Sequence, residues 1–158
     1  MYVIRKKFKC DTLKILAAML LLCIPALSAA QDNISVKDGE FEVFYSAFNT
    51  SFLKPDVARA AGVVRAADRG LLNISIVQHG EEGKVNVPAA EIAGESYNLL
   101  HRRKLEFNEL VEPGARYYLA PFKIANDDEL IVFDVEVRPL GSARTISFQF
   151  KQRFFHNP

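Results

Sequence analysis

The last third of the chain carries an alternation of apolar and polar residues that strongly constrains its fold. Over 130–138 and again over 145–154, nearly every second residue is large and apolar. A period of two is typical of β-strands with one buried face. Pro139 and Gly141 predict a turn between the two stretches, which should therefore form an antiparallel hairpin. The side chains expected in the core are Phe133, Val135, Val137, Ile146, Phe148 and Phe150, and those expected in solvent are Glu136, Ser147, Gln149 and Lys151.

Further strands are predicted upstream, over 40–48, 71–78, 85–92, 104–111 and 115–124. Pro88 favours a sheet edge or a bulge for its strand. A single short helix is predicted from Pro55 to Ala61, because proline suits a first helical turn and Gly62 suits a left-handed residue after the end. About seven strands in one domain indicate an all-β fold. An antiparallel β-sandwich is favoured over a closed barrel, whose even rhythm the helix and the proline-bearing strand would interrupt.

The first thirty residues have the layout of a secretory signal. Five basic residues flank an apolar run from Ile15 to Leu27, and small residues end at Ala30. The run is shorter than the roughly 20 apolar residues that cross a membrane. We therefore predict a signal peptide over 1–30, cleavage between Ala30 and Gln31, and a β-sandwich domain over 31–158. The mature protein is expected to be soluble in the periplasm, with no membrane span.

The positions of the cysteines and the net charge bear on disulfide formation, lipid attachment and nucleic-acid binding. Both cysteines, Cys10 and Cys23, lie in the predicted signal, so no disulfides are expected in the mature domain. Lipid attachment at Cys23 is the less favoured alternative, because Leu22 is large where processing requires a small residue. Residues 31–158 carry 15 Lys and Arg against 18 Asp and Glu, a net charge of −3. A weakly acidic domain lacks the positive field that nucleic-acid binding uses, so no nucleic acid is expected.

The histidines and the two charged runs give no specific site. His79, His101 and His156 have no metal-ligand spacing, and His79 is interpreted as part of a solvated turn rather than a metal corner. The basic run His101, Arg102, Arg103, Lys104 could bind a phosphate or carboxylate if its side chains converged, but strand alternation would separate them. A solvated loop is favoured, and whether the run forms a patch stays open. The acidic run 126–129 predicts a turn rather than a calcium site.

No catalytic, cofactor-binding or metal residue is therefore assigned, and no cofactor is expected. The sequence has neither the G-x-S-x-G motif of hydrolases nor a glycine-rich phosphate loop. The favoured hypothesis is a binding or accessory module for an envelope protein or ligand. The alternatives are a small periplasmic hydrolase that uses His79 or His101 with a distant carboxylate, and a chaperone-like donor of an edge strand.

Four stretches resemble a known family: Phe41 to Ala58, Arg69 to Val77, Gly114 to Phe122 and Ile146 to Phe155. The distinctive parts are the T-x-F-L-x-P-x-V-A step that begins at Thr50 and the L-x-N-I-S strand that begins at Leu71. They resemble the exported family of Gram-negative bacteria called domain of unknown function 4426. The resemblance implies an immunoglobulin-like sandwich in the periplasm or envelope, and it implies no activity and no site residue.

Overall fold

A computed structural model describes residues 34–156, so the predicted cleavage between Ala30 and Gln31 lies outside the described residues and stays a prediction. The described part contains ten strands, a 3-10 turn at Thr50–Phe52 and one α-helix. The strands are β1 Ser35–Asp38, β2 Phe41–Asn49, β3 Arg69–Gly80, β4 Gly83–Asn86, β5 Ala89–Tyr97, β6 Arg102–Lys104, β7 Asn108–Glu112, β8 Ala115–Lys123, β9 Glu129–Pro139 and β10 Ile146–Phe154, and the helix α1 is Pro55–Ala60.

The strands form two antiparallel sheets. The first sheet has the order β1-β2-β3-β8-β7, with β4 also paired to β3, and the second has the order β10-β9-β5-β6. The all-β prediction and the two-sheet architecture of a sandwich are confirmed. The immunoglobulin-like character implied by the resemblance stays a prediction.

The strand count is ten rather than the predicted seven because two predicted strands are divided and β1 was not predicted. In the stretch 85–92, β4 ends at Asn86 and belongs to the first sheet, whereas β5 begins at Ala89 and belongs to the second. The N–H of Val87 still donates to the carbonyl of Ile76, but Pro88 has no N–H with which to continue the ladder. The stretch 104–111 is likewise divided into β6 and β7.

The predicted C-terminal hairpin is confirmed in its register and in most of its burial. Val135 pairs with Phe148 and Val137 with Ile146, so these four side chains share one face of the second sheet. Phe148 is only half-buried, and its ring stacks on Tyr45 of the first sheet with centroids 4.9 Å apart.

Aromatic rings join the two sheets at the centre of the core. The ring of Phe122, on β8, meets Phe133 and Phe154 of the second sheet edge-on, at centroid distances of 5.0 and 5.1 Å. Such pairs contribute more than their buried area alone. Because cysteine is absent from residues 34–156, this packing holds the described domain together without a disulfide.

The predicted helix is confirmed, one residue shorter, as α1. It begins at Pro55, and Gly62 has the left-handed φ of 65° that was expected beyond the end. Neither α1 nor any other helical segment of residues 34–156 has the length and apolarity needed to span a membrane.

Candidate functional site: a basic cleft between the sheets

The basic run at 101–104 is divided between the two faces of β6. Tyr97 pairs with Arg102 and Ser96 with Arg103, so these two arginines point to opposite sides of the second sheet. The Arg102 guanidinium stacks on the ring of Tyr97 at 4.1 Å and binds the Glu95 carboxylate at 2.6 Å. The hydrogen bond that Arg102 donates to Glu95 raises the pKa of Arg102. Arg102 is thus held by its own sheet, and the run does not form a single patch.

Arg103 instead lines a cleft together with two cations from the first sheet. Lys104, which shares the face of Arg102 by alternation, borders the same cleft. The cleft has a volume of about 430 Å³, and Arg69 of β3 and Lys123 of β8 form its other basic wall. All four side chains are exposed. We call this feature, defined by Arg69, Arg103, Lys104 and Lys123, the basic cleft.

The cations of the basic cleft have no partners within the described chain. None of the four forms an ion pair among residues 34–156, although Asp68 and Glu106 also line the cleft. Arg69 and Lys123 are directly opposite each other in the pairing of β3 with β8. Like charges in directly opposed positions destabilise a sheet. An anion bound between them would relieve that repulsion.

A smaller cavity of about 30 Å³ adjoins the basic cleft and is lined by His101, Arg103, Lys123 and Glu129. Burial raises the pKa of the Glu129 carboxyl, but hydrogen bonds from Asn98 and from the backbone of 125–126, with the nearby His101, lower it overall. The run 126–129 forms the turn that was predicted, and Glu129 is its buried anchor. Glu129 belongs to the acidic run named above, but its burial could not be predicted because its partner Asn98 is distant along the chain.

His79 differs from the solvated turn that was expected. It lies near the end of β3, half-buried, with Nε2 2.7 Å from Oε2 of Glu42. Glu42 is only 4% exposed, and its carboxylate also accepts hydrogen bonds from Ser35 Oγ at 2.8 Å and Lys84 Nζ at 3.4 Å. Burial raises the pKa of Glu42, but these three hydrogen bonds and the charge of Lys37 outweigh it and lower the pKa to about 2.

The Glu42 cluster does not have the arrangement of a hydrolase triad. In such a triad a hydroxyl bonds to the imidazole and a carboxylate orients the imidazole from its other nitrogen. Here the Ser35 hydroxyl donates to Glu42 and not to His79. The ammonium groups of Lys37 and Lys84 occupy the surroundings that a metal cation would need.

The other histidines contribute little chemistry. His101 is exposed, and its backbone N–H donates to the Asn98 side chain. The ring of His156 lies 3.2 Å from the carbonyl of Ile124. Across residues 34–156 there is no group of three or more His, Cys, Asp or Glu side chains that could hold a metal ion.

The comparisons with known proteins agree with the resemblance inferred from the sequence. Residues 35–157 match a family model described as Domain of unknown function (DUF4426). The crystal structure of a DUF4426 family protein from Pseudomonas aeruginosa PAO1 is similar, with a TM-score of 0.67 and 34% sequence identity, over 78% of this chain and 95% of that chain. A search of the curated proteins finds no match.

Proposed function

The chain belongs to the DUF4426 family, and from this premise we propose that it is an exported β-sandwich binding module whose basic cleft takes an anionic group of an envelope partner. The main observation in favour of this proposal is that four cations line one cleft and form no ion pair among the described residues. The proposal has two parts, the export and the anion site, and each has its own test.

The export part is supported by the basic flank, the apolar run and the small residues that precede Gln31. This layout is typical of a signal that is removed on secretion. The intact mass of the native protein tests it. A mass that matches a polypeptide beginning at Gln31 supports export to the periplasm, and a mass that includes residues 1–30 contradicts it. A diacylglycerol group on Cys23 would replace this proposal with a lipoprotein.

The anion site is supported by the chemistry of the cleft. A guanidinium offers several N–H donors in one plane and matches the paired oxygens of a phosphate or carboxylate, while an ammonium adds a point charge. Arg69 and Arg103 supply the first kind of group, and Lys104 and Lys123 the second. A volume of about 430 Å³ is large enough for a phosphate or carboxylate group with part of the molecule that carries it.

Titration with inorganic phosphate, and separately with acetate, tests the anion site. We expect the backbone amide resonances of the cleft strands to shift in a saturable way, and added salt to weaken the effect. Arg103→Gln and Lys123→Gln should each weaken binding. Lys151→Gln is the matched control, because Lys151 is an exposed lysine on β10 that also has no ion pair with any described residue. Equal binding by the cleft variants and the control would contradict the proposal.

The two alternative functions gain no comparable support. A hydrolase that uses His79 would need a hydroxyl at the imidazole, whereas the only side-chain partner of that ring among residues 34–156 is Glu42. A donor of an edge strand would need a long uncovered apolar edge. The edge strands β1 and β6 have four and three residues, and β7 carries Glu109 and Glu112. The remaining edge strand, β10, has nine residues but carries the exposed cations Lys151 and Arg153. Short or charged edges discourage strand addition.

A further inference from the structure

The loop between β5 and β6 presents two adjacent leucines to solvent. Leu99 is 102% exposed and Leu100 is 79% exposed, so neither side chain packs on the domain. Single exposed leucines are common on protein surfaces, but two neighbours at the end of a hairpin form a projecting apolar element. We call this pair the leucine tip.

The leucine tip is held in place by a hydrogen-bond network. The Asn98 side-chain oxygen accepts the backbone N–H groups of Leu100 at 2.8 Å and His101 at 2.7 Å, and the Asn98 N–H donates to the His101 carbonyl at 3.0 Å. The Asn98 amide group donates to the buried carboxylate of Glu129. The turn is therefore pre-organised, and the leucines are exposed by a defined conformation.

The surroundings of the leucine tip are apolar on one side and basic on the other. On the apolar side a groove of about 620 Å³ runs along Tyr97, Leu130 and Val132. The carboxylate of Asp128 on its rim is neutralised by Arg153 at 2.7 Å. On the other side, the small cavity that Asn98 lines shares Arg103 and Lys123 with the basic cleft.

We infer that the leucine tip and the basic cleft together dock the protein on a lipid surface with anionic headgroups. The leucines enter the apolar boundary of the bilayer, and the cleft cations contact headgroup phosphates. Apolar insertion combined with electrostatic attraction is the general basis of peripheral membrane binding. The inference rests on the proposed function, because it uses the cations of the same basic cleft. The anionic group that these cations bind is then the headgroup of a lipid.

The shape of the tip favours a lipid surface over a protein partner. A stable protein interface buries about 800 Å² on each side, far more than two leucine side chains offer. A fluid bilayer can surround a projecting tip without a matching pocket. The charge of the basic cleft complements anionic headgroups, and the Asp128 carboxylate beside the groove is already paired with Arg153.

Co-sedimentation of the protein with lipid vesicles tests the inference. We expect binding to vesicles of phosphatidylglycerol and phosphatidylethanolamine and little binding to phosphatidylcholine alone. The double variant Leu99→Ser with Leu100→Ser should bind at least about tenfold more weakly, since it loses two inserted leucines. Leu140→Ser, at a leucine that is 57% exposed beyond β9, is the matched control and should bind like the wild type.

Several results would overturn the inference: no binding to anionic vesicles, equal binding to neutral vesicles, undiminished binding by the double variant, or a protein partner bound in place of vesicles. Unchanged urea midpoints for both variants establish that the fold is retained. Phosphate binding in the cleft without vesicle binding would leave the proposed function standing and overturn the docking. Vesicle binding that is unaffected by Arg103→Gln and Lys123→Gln would overturn the role of the cleft in the docking, whereas the phosphate titration of the same variants decides the proposed function.

Discussion

The ring of Phe122 lies so close to the backbone of Gly70 that a Cβ atom on this glycine would be 2.1 Å from the ring. The two residues are directly opposite each other in the pairing of β3 with β8. The same ring contacts Phe133 and Phe154 across the core. The space left by the missing side chain of Gly70 therefore sets the position of the ring that joins the two sheets.

Gly70→Ala is expected to destabilise the domain by about 1–3 kcal/mol, the usual cost of overpacking a core, because Phe122 has to move away from its partners. The midpoint of urea unfolding measures the effect. Gly80→Ala on the same strand is the control, since a Cβ there would have its nearest neighbour at 3.8 Å. Equal midpoints for the two variants would show that the Phe122 ring can adjust without loss.

Phe133→Ala is expected to cost about 3–5 kcal/mol, because Phe133 is 0% exposed and its removal leaves a cavity at the centre of the core. Phe148→Ala should cost less, since the half-buried ring leaves a gap that solvent can reach. The midpoints of urea unfolding show which of the two variants has lost more stability. A larger loss for Phe148→Ala would mean that the contact with Tyr45 matters more than the centre of the core.

The Glu42 carboxylate should make the stability of the domain fall in acid. Its pKa is about 2 in the folded state against 4.5 as its usual value, so its contribution is complete above about pH 4.5 and is lost as the pH falls toward 2. Glu42→Gln should therefore be less stable than the wild type near neutral pH, and the difference should shrink in acid. Unfolding measured from about pH 6 to about pH 2 checks the trend. Glu40→Gln, at an exposed glutamate of the preceding turn, is the control.

Lys123→Glu is expected to raise the urea midpoint and at the same time to weaken phosphate binding. The substitution turns the repulsive pair of Arg69 and Lys123 into an attractive one. It also removes a cation from the basic cleft. Lys151→Glu, outside the cleft, should leave phosphate binding unchanged. A loss of stability in Lys123→Glu would show that the opposed cations do not repel each other appreciably.

Asn98→Ala is expected to loosen the leucine tip. The amide hydrogens of Leu100 and His101 lose their acceptor and should exchange faster with solvent. Hydrogen exchange followed by NMR gives the two rates directly. Asn126→Ala is the control, because its exposed side chain makes no hydrogen bond within the described stretch 34–156. Unchanged rates in Asn98→Ala would mean that the backbone alone holds the turn.

The parts of the fold that could be predicted from the sequence depend on local patterns. The register of β9 with β10 follows from a period of two and a short turn, and α1 follows from the positions of Pro55 and Gly62. The alternation does not say which sheet a strand joins. The change of sheet at Pro88 was therefore missed, although the proline itself had been recognised as an interruption.

The candidate site depends on contacts that no local pattern records. Arg69 and Lys123 are far apart in the sequence and come together only through the pairing of β3 with β8. Glu42 is on the solvent face by alternation, yet side chains from three neighbouring strands cover it, among them Lys37, His79 and Lys84. A signal for either feature would have required knowledge of which strands are neighbours.

The order of the strands also determines how the domain can come apart. Along the chain, β1 to β4 belong to the first sheet and β5 and β6 to the second. β7 and β8 then belong to the first sheet again, and β9 and β10 to the second. Each sheet is thus formed by two separate segments of the chain. If the polypeptide were cut at any point along the ten described strands, at least one sheet would contain strands from both fragments. The two sheets should therefore form and melt as one cooperative unit.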